Sequence, residues 1–359
     1  MSRLVVLGHF ADGESRVDGQ IVRTRLVRSE LAKRLGKSQV VSVDTGRLSR
    51  KPIQTLLGIF RGLRKCTDAV IMPGERGLKW LLPVYLGCMK RYRLRLHYLV
   101  VGGWLPAYLE SRPQDIKRLA ACAGLHVQTR RMLKQLEALG LDNVSLLPNF
   151  RSFPIHRRLS SGPTIPLRLV YLSRVIPQKG VELAVRAVEA VNQEFSEPRV
   201  SLDIWGPVPD KHREWFETLM QKRSSTIRYC GVMRPEAIAE RLPDYGLMVF
   251  PTRYAGEGFP GVLVDAFVSG LPVIASDWQD NGEFIHSGVN GLLFAAGDVS
   301  DLESKLRWAL ANNESVASMG RAAAAMADDY HVDRVFPDLL HTLGIGDCIT
   351  SPGVTALPS

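Results

Sequence analysis

The chain has 359 residues, 45% of them apolar, and a formal net charge of +10. That apolar content excludes a disordered polypeptide and allows two hydrophobic cores, while the longest apolar run, Trp80 to Met89, is broken by Pro83 and too short for the roughly 20 residues of a membrane span. Charge is uneven: residues 1–160 hold 29 Lys and Arg against 11 Asp and Glu (+18), and residues 161–359 carry −8, so the first half is expected to meet an anionic partner.

In chain order, Met1-Ser2-Arg3 leads straight into the strand-like run Leu4–Gly8, which argues against a signal peptide. Further strands are expected at Val40–Val43, Ala69–Met72, Leu94–Val101, Gly124–Gln128 and Asn143–Leu147. Helical periodicity separates them, for example at Ile21–Leu35, Gln54–Cys66 and Asp115–Cys122. The second half repeats the alternation at Leu167–Leu172, Ser201–Trp205, Ile227–Tyr229, Gly246–Phe250, Val273–Ser276 and Gly291–Phe294. Strands alternating with helices indicate an α/β chain with parallel sheets wound on both faces. Arg151 to Pro166, with Pro154, Pro163 and Pro166 and no acidic residue, reads as the hinge. The five cysteines (Cys66, Cys88, Cys122, Cys230, Cys348) show no C-x-x-C spacing or His clustering, so they read as reduced residues of a cytosolic protein, without structural zinc. The Ser/Thr/Pro/Gly-rich end, 346–359, reads as a flexible tail.

Two segments carry chemistry. In Gly256 to Asp277, Glu257 sits in a Gly-Phe-Pro turn and Asp265 follows eight positions later in an apolar segment. Pro260 suits the first helical position, Gly270 the left-handed cap, and Leu271–Ala275 a buried strand. Free N–H groups at that helix start attract anions, and the carboxylates accept from hydroxyls; a sugar phosphate offers both partners. With 36 acidic residues in the chain, the acid spacing alone proves nothing. In the second segment, Leu167–Leu172 runs into Ser173-Arg174-Val175-Ile176-Pro177-Gln178-Lys179-Gly180. A helix follows, with Val181, Ala184, Val185 and Val188 on one face. A strand feeding a loop with Arg and Lys ahead of a helix N-terminus suits a phosphate, although an ordinary solvated βα loop has the same outline.

Together these segments resemble the E-x7-E region and the S-R-x-x-x-x-K-G signature of retaining GT-B glycosyltransferases, family 4 (glycosyl transferases group 1). Asp265 departs from the usual second Glu by one methylene. The resemblance implies two doubly wound Rossmann-like domains facing across a cleft. Residues 1–157 would form the acceptor-side domain, joined by a crossing helix at about 328–345, and residues 163–327 the donor domain. It also implies a nucleotide-diphosphate sugar donor, UDP first and GDP next. Arg174 and Lys179 would neutralise the leaving diphosphate, and no metal is expected, since no D-x-D ends a strand. Glu257 would hold sugar hydroxyls, with the N–H groups of Gly258 and Phe259 beside it and Pro260 starting the helix. Asp265 would accept from the ribose. Gly206 and Gly231-Val232-Met233 resemble the base pocket, Gly19 would approach the diphosphate, and Gly102-Gly103-Trp104 would line the acceptor side. His97 falls within a strand and reads as structural; Asn281 and Glu283 read as helix caps, with contact to the donor as the alternative. Lys179→Ala is expected to lower turnover with folding nearly unaffected.

The acceptor is expected to be a lipid-linked saccharide in surface polysaccharide synthesis (capsule, O-antigen, lipopolysaccharide or exopolysaccharide). The protein would be cytoplasmic and peripheral on the inner face of the membrane. Basic amphipathic stretches support that placement: Leu56, Leu57, Ile59, Phe60 and Leu63 beside Arg61, Arg64 and Lys65, and Trp80, Leu81, Leu82 and Tyr85 beside Lys79, Lys90, Arg91, Arg93 and Arg95. A buried apolar face with solvated charges has the same pattern. No nucleic-acid-binding motif is present. The alternatives are another GT-B chemistry, a nucleotide-sugar epimerase or a phosphorylase, and a non-catalytic membrane-associated subunit; the last would show damage at Arg174, Lys179 or Glu257, and all three are intact.

Overall fold

Most of the apolar runs form strands buried on both faces, as parallel sheets require, while the outer strands Val40–Asp44 and Ile227–Tyr229 are partly exposed. The structure is a computed structural model and describes residues 4–12, 18–221 and 223–345, so the expected tail, Cys348 and the residues before Leu4 lie outside the described residues. The first half contains β1 (Leu4–Gly8), α1 (Gly19–Leu35), β2 (Val40–Asp44), α2 (Pro52–Arg64), β3 (Asp68–Met72), α3 (Glu75–Tyr92) and β4 (Arg95–Leu99). It continues with α4 (Leu105–Ser111), α5 (Gln114–Ala120), β5 (Gly124–Val127), α6 (Arg130–Ala138) and β6 (Val144–Leu146). The second half contains β7 (Leu167–Leu172), α7 (Val181–Asn192), β8 (Val200–Trp205), α8 (Arg213–Gln221), β9 (Ile227–Tyr229), α9 (Pro235–Arg241) and β10 (Leu247–Phe250). Then come α10 (Gly261–Val268), β11 (Val273–Asp277), α11 (Asn281–Phe284), β12 (Gly291–Ala295), α12 (Val299–Ala311), α13 (Asn313–Ala327) and α14 (Val332–Thr342).

Two parallel six-stranded sheets result, ordered β2-β1-β3-β4-β5-β6 and β12-β11-β10-β7-β8-β9. In the second sheet, successive residues feed opposite cores. Leu169, Tyr171, Val249 and Ile274 join one cluster, while Val170, Met248, Val273 and Ala275 join the other. That period of two places a helical layer on each face.

The chain divides into two compact units. One comprises residues up to Val101, Leu105–Pro148 and the chain from Val332; the other comprises Gly102–Trp104 and Asn149–His331. The division at 148/149 precedes the proline-rich stretch because that stretch is bonded into the second unit. Arg157 donates to the carbonyls of Val268 (2.9 Å) and Ala324 (2.7 Å), and the Ser160 amide donates to Ser269 (2.8 Å). In the first unit, α14 is tied down by the Arg34–Asp333 ion pair and by Arg95 donating to the Leu343 carbonyl at 2.7 Å. The basic residues of α1 serve the fold there. Buried Arg23 donates to the Leu147 carbonyl at 2.9 Å, Arg25 holds the carbonyls of Phe10 and Ala11 at 2.6 Å, and Arg28 pairs with Asp12.

Among the described residues no helix is long and apolar enough to cross a membrane. Cys66, Cys88, Cys122 and Cys230 are free thiols, and no group of three or more His, Cys, Asp or Glu there could hold a metal ion.

Candidate active site

Strand order locates the site. In the second sheet the connections run one way from β7 to β8 and β9 and the other way from β10 to β12. The loops leaving the carboxyl ends of β7 and β10 therefore diverge, and such a switch point is where doubly wound sheets bind ligands. Both chemistry-bearing segments leave from these two strands.

Behind β7, Arg174 is exposed and Lys179 is buried. Lys179 closes a single 3-10 turn, Pro177–Lys179, and Gly180 follows at φ +74°. Only glycine fits: a Cβ on Gly180 would stand 2.0 Å from the Pro251 carbonyl oxygen, so the β7 loop touches the backbone at the start of the β10 loop. The β10 loop supplies the partners. Lys179 Nζ lies 2.5 Å from Glu257 Oε2, and the Thr252 hydroxyl donates to the same oxygen at 2.9 Å. The Tyr254 ring takes both cations on its face, with Arg174 5.2 Å and Lys179 5.1 Å from the centroid. The result is a buried Lys–Glu pair roofed by an aromatic ring, with an additional guanidinium at the surface. It corrects the expectation that removing Lys179 leaves folding nearly untouched, since the removal strands a buried carboxylate.

The helix start is shifted by one residue. Pro260, expected at the first helical position, has ψ 125° and is the cap, and α10 begins at Gly261. Gly270 adopts φ +62° as its cap role requires, and the strand after it begins at Val273, two residues later than the apolar run. The Phe259 ring stacks on Phe284 at 3.6 Å and meets Tyr330 edge-on at 4.9 Å. This buried anchor fixes the turn and leaves Phe259 only its backbone for a ligand. Asn149 donates to the Phe259 carbonyl at 2.8 Å.

Asp265 is not alone. Arg151 grips it with both prongs, Nε to Oδ1 at 2.5 Å and Nη2 to Oδ2 at 2.9 Å. Sequence reasoning assigned Arg151 to a hinge and missed this pair, and it also missed Thr252, Tyr254 and Asn149. Thr252 could have been found from its place just beyond a strand end. Arg151 offered no such signal, since its partner lies 114 positions away.

Gly206 and Gly231 are brought together: the Gly206 amide donates to the Gly231 carbonyl at 2.8 Å, and the Tyr229 hydroxyl donates to the Gly206 carbonyl at 3.0 Å. Gly206 has φ +147°, with room for no side chain against the Ser173 carbonyl. Val232 is exposed and Met233 buried. A hollow of about 420 Å³ lies beside them, between Pro207-Val208, α8, Tyr229 and Val232. Gly102 and Gly103 pack on the Glu257 loop, with the Gly103 amide donating to the Gly256 carbonyl at 3.1 Å; a Cβ on Gly103 would stand 1.9 Å from the Glu257 carbonyl oxygen. Trp104 continues that segment. Gly19 lies in the first unit as the first residue of α1, capped by Asp18, with open space where a Cβ would stand. The capping role read for Asn281 is not what forms, and Glu283 lies in the first turn of α11. Asp280 is the N-cap residue of α11, with no side-chain capping hydrogen bond, and buried Asn281 donates to the Ser276 carbonyl at 2.9 Å, tying α11 to its own strand. His97 is buried against His126 in the first unit, 3.4 Å between ring nitrogens.

Residues 166–312 match the family described as glycosyl transferases group 1. This segment resembles the glycosyl transferases of group 1. It contains Arg174, Lys179, Glu257 and Asp265, while Arg151 lies just before it. The sulfoquinovosyl transferase SQD2 of Arabidopsis thaliana is 29% identical over 195 residues, 53% of this chain and 36% of that relative. The phosphatidyl-myo-inositol mannosyltransferase of Mycobacterium leprae is 28% identical over 196 residues, 54% of this chain and 50% of the relative. The chain thus aligns with half or less of the length of these relatives. The crystal structure of the Anabaena protein HepE in complex with UDP-glucose superposes with a TM-score of 0.75 at 13% identity, covering 96% of this chain and 100% of that one. That likeness shows the GT-B fold.

Proposed function

We propose that the protein is a retaining glycosyltransferase that moves a sugar from a nucleotide-diphosphate sugar to a hydroxyl acceptor. The observation that carries this reading is the convergence of Arg174, Lys179 and Glu257 on the loops of β7 and β10, inside the matched segment. Arg174 and Lys179 supply fixed positive charge where a leaving diphosphate gains negative charge. Glu257 accepts from sugar hydroxyls once the donor's phosphates draw Lys179 toward them, and the amides of Gly258 and Phe259 sit at the same turn. Asp265 receives the ribose hydroxyls, and Gly206, Gly231, Val232 and Met233 line the base end. Gly19, Gly102, Gly103 and Trp104 remain candidate contacts for the rest of the substrates. UDP is the proposed nucleotide, with GDP the next candidate. An intact cationic pair and Glu257 favour an enzyme over a non-catalytic subunit.

The finer part of the proposal concerns the acceptor: a lipid-linked saccharide, used in capsule, O-antigen or exopolysaccharide assembly at the inner membrane face. Its support is a surface of the first unit. On α2 and its neighbour α3, Ile53 (72% exposed), Leu57 (47%), Phe60 (43%) and Trp80 (72%) stand in solvent. Arg61, Arg64, Lys65, Arg76, Lys79, Lys90 and Arg91 are exposed around them, and Glu75 is the single acid in the two helices. Of the other apolar residues read into this face, Ile59, Leu63, Leu81, Leu82 and Tyr85 are core and Leu56 is half-buried, so the face is narrower than the sequence suggests.

Product stereochemistry tests the reaction. With an α-linked nucleotide sugar and a hydroxyl acceptor, NMR of the product should show an α-anomer, formed equally well in EDTA. A β-anomer would overturn the retaining assignment, and loss of activity on chelation would overturn the role given to the two cations.

A further inference from the structure

We infer that Arg151 is a positioning residue for donor binding: it orients the carboxylate of Asp265 so that the remaining lone pairs of both oxygens face the ribose. The inference rests on the donor-site reading above and adds to it a residue outside the matched domain. A carboxylate has about four acceptor positions. The guanidinium fork occupies one on each oxygen and leaves one on each for the two vicinal hydroxyls of a ribose. A bidentate fork fixes orientation as well as charge, and an Asp reaching from the second turn of α10 needs that help, because its reach is one methylene shorter than that of a Glu.

Arg151 is itself held at three points. Its amide donates to the Tyr330 carbonyl at 3.0 Å, Nη1 donates to the Phe150 carbonyl at 3.0 Å, and the fork closes on Asp265. The helix leaves space for it. A Cβ at Gly261, the first residue of α10, would stand 2.4 Å from Nη2 and 3.2 Å from Cζ. The glycine at that position is therefore what admits the guanidinium. The three atoms nearest that Cβ all belong to the end of this flexible side chain, so filling the space displaces Arg151 without breaking the backbone.

Two variants approach the pair from opposite sides. Arg151→Ala removes the fork, and Gly261→Ala keeps the charge but expels the fork from its seat. Binding to the full chain is measured by titration calorimetry with UDP and GDP and with their 2′,3′-dideoxy counterparts, alongside thermal unfolding and donor kinetics. Wild type should prefer the ribose form of the nucleotide it binds. Both variants should bind that form about tenfold more weakly, bind the dideoxy form as wild type does, and raise the donor KM with little change in kcat. A purely structural role would weaken both nucleotides alike and overturn the inference. So would wild-type affinity and ribose preference in both variants, and so would tighter binding, which would make Arg151 a competitor of the ribose. If wild type binds neither diphosphate, the donor-site reading fails before the variants are made, and the inference fails with it.

Discussion

Lys179 and Glu257 neutralise each other at 2.5 Å beneath the Tyr254 ring, which gives one residue two duties. Toward the fold, the ammonium compensates a buried carboxylate. Removing one partner of such a pair costs roughly 3–5 kcal/mol, whereas replacing both by neutral groups of similar volume can be nearly neutral. Toward the proposed reaction, the ammonium would stabilise charge on the departing diphosphate, where loss of one preorganised donor costs on the order of 10² to 10³ in turnover. A double-mutant cycle separates the two. Lys179→Met should unfold at markedly lower denaturant than wild type, and adding Glu257→Gln should restore most of that stability. Turnover should stay low in both. Recovery of turnover together with stability would mean that Lys179 acts only through the fold.

At the scale of elements, the strands were the most legible feature, because burial on both faces writes central strands such as β1 and β3 as apolar runs; β1, β7 and β9 fall on the residues expected, and the other strands within a few residues. The β7 and β10 loops were legible because Arg174, Lys179, Glu257 and the glycines around them stand in recognisable order. What joins elements was not. Arg151 to Asp265 and Asn149 to Phe259 span more than a hundred positions, and nothing local marks either partner. The face of α2 and α3 was legible in part. Periodicity showed apolar and basic residues together, but only packing decides that Leu63 and Tyr85 are core while Ile53 and Trp80 are outside. Each apolar side chain buried at an interface contributes roughly 1.5–3 kcal/mol, and each cation near an anionic leaflet about 1 kcal/mol. Wild type should therefore co-sediment with anionic vesicles, less so as salt rises, and Trp80→Ser with Ile53→Ser should weaken binding at constant charge. Equal binding to neutral vesicles, or none to anionic ones at low salt, would remove the membrane role and leave the donor site untouched.

At the scale of the whole molecule, a buried histidine pair remote in sequence from the β7 and β10 loops is expected to make stability depend on pH. Burial pushes His97 down to about 4, with nearby Asp68 opposing and Arg95 assisting. Burial, His97 and Arg23 push His126 down to about 3. Both rings stay neutral in the folded state, but unfolded they bind protons below about 6.5. The unfolded state thus binds more protons as pH falls, and stability must drop from pH 6.5 toward 4. Melting temperature should decline between pH 6.5 and 5, above most carboxylate titration, and His97→Gln with His126→Gln should flatten that slope; an unchanged slope would assign it elsewhere. The central claim is that the second unit holds a nucleotide-diphosphate sugar, and donor binding tests it most directly. The melting temperature is measured with UDP-, GDP-, ADP- and dTDP-sugars for wild type and Lys179→Met, since a ligand bound to the folded state raises it by mass action. One donor, UDP-linked on this account, should raise the wild-type melting temperature in a concentration-dependent way and raise that of the variant far less. No shift with any of the four, or an equal shift in both proteins, would contradict the account.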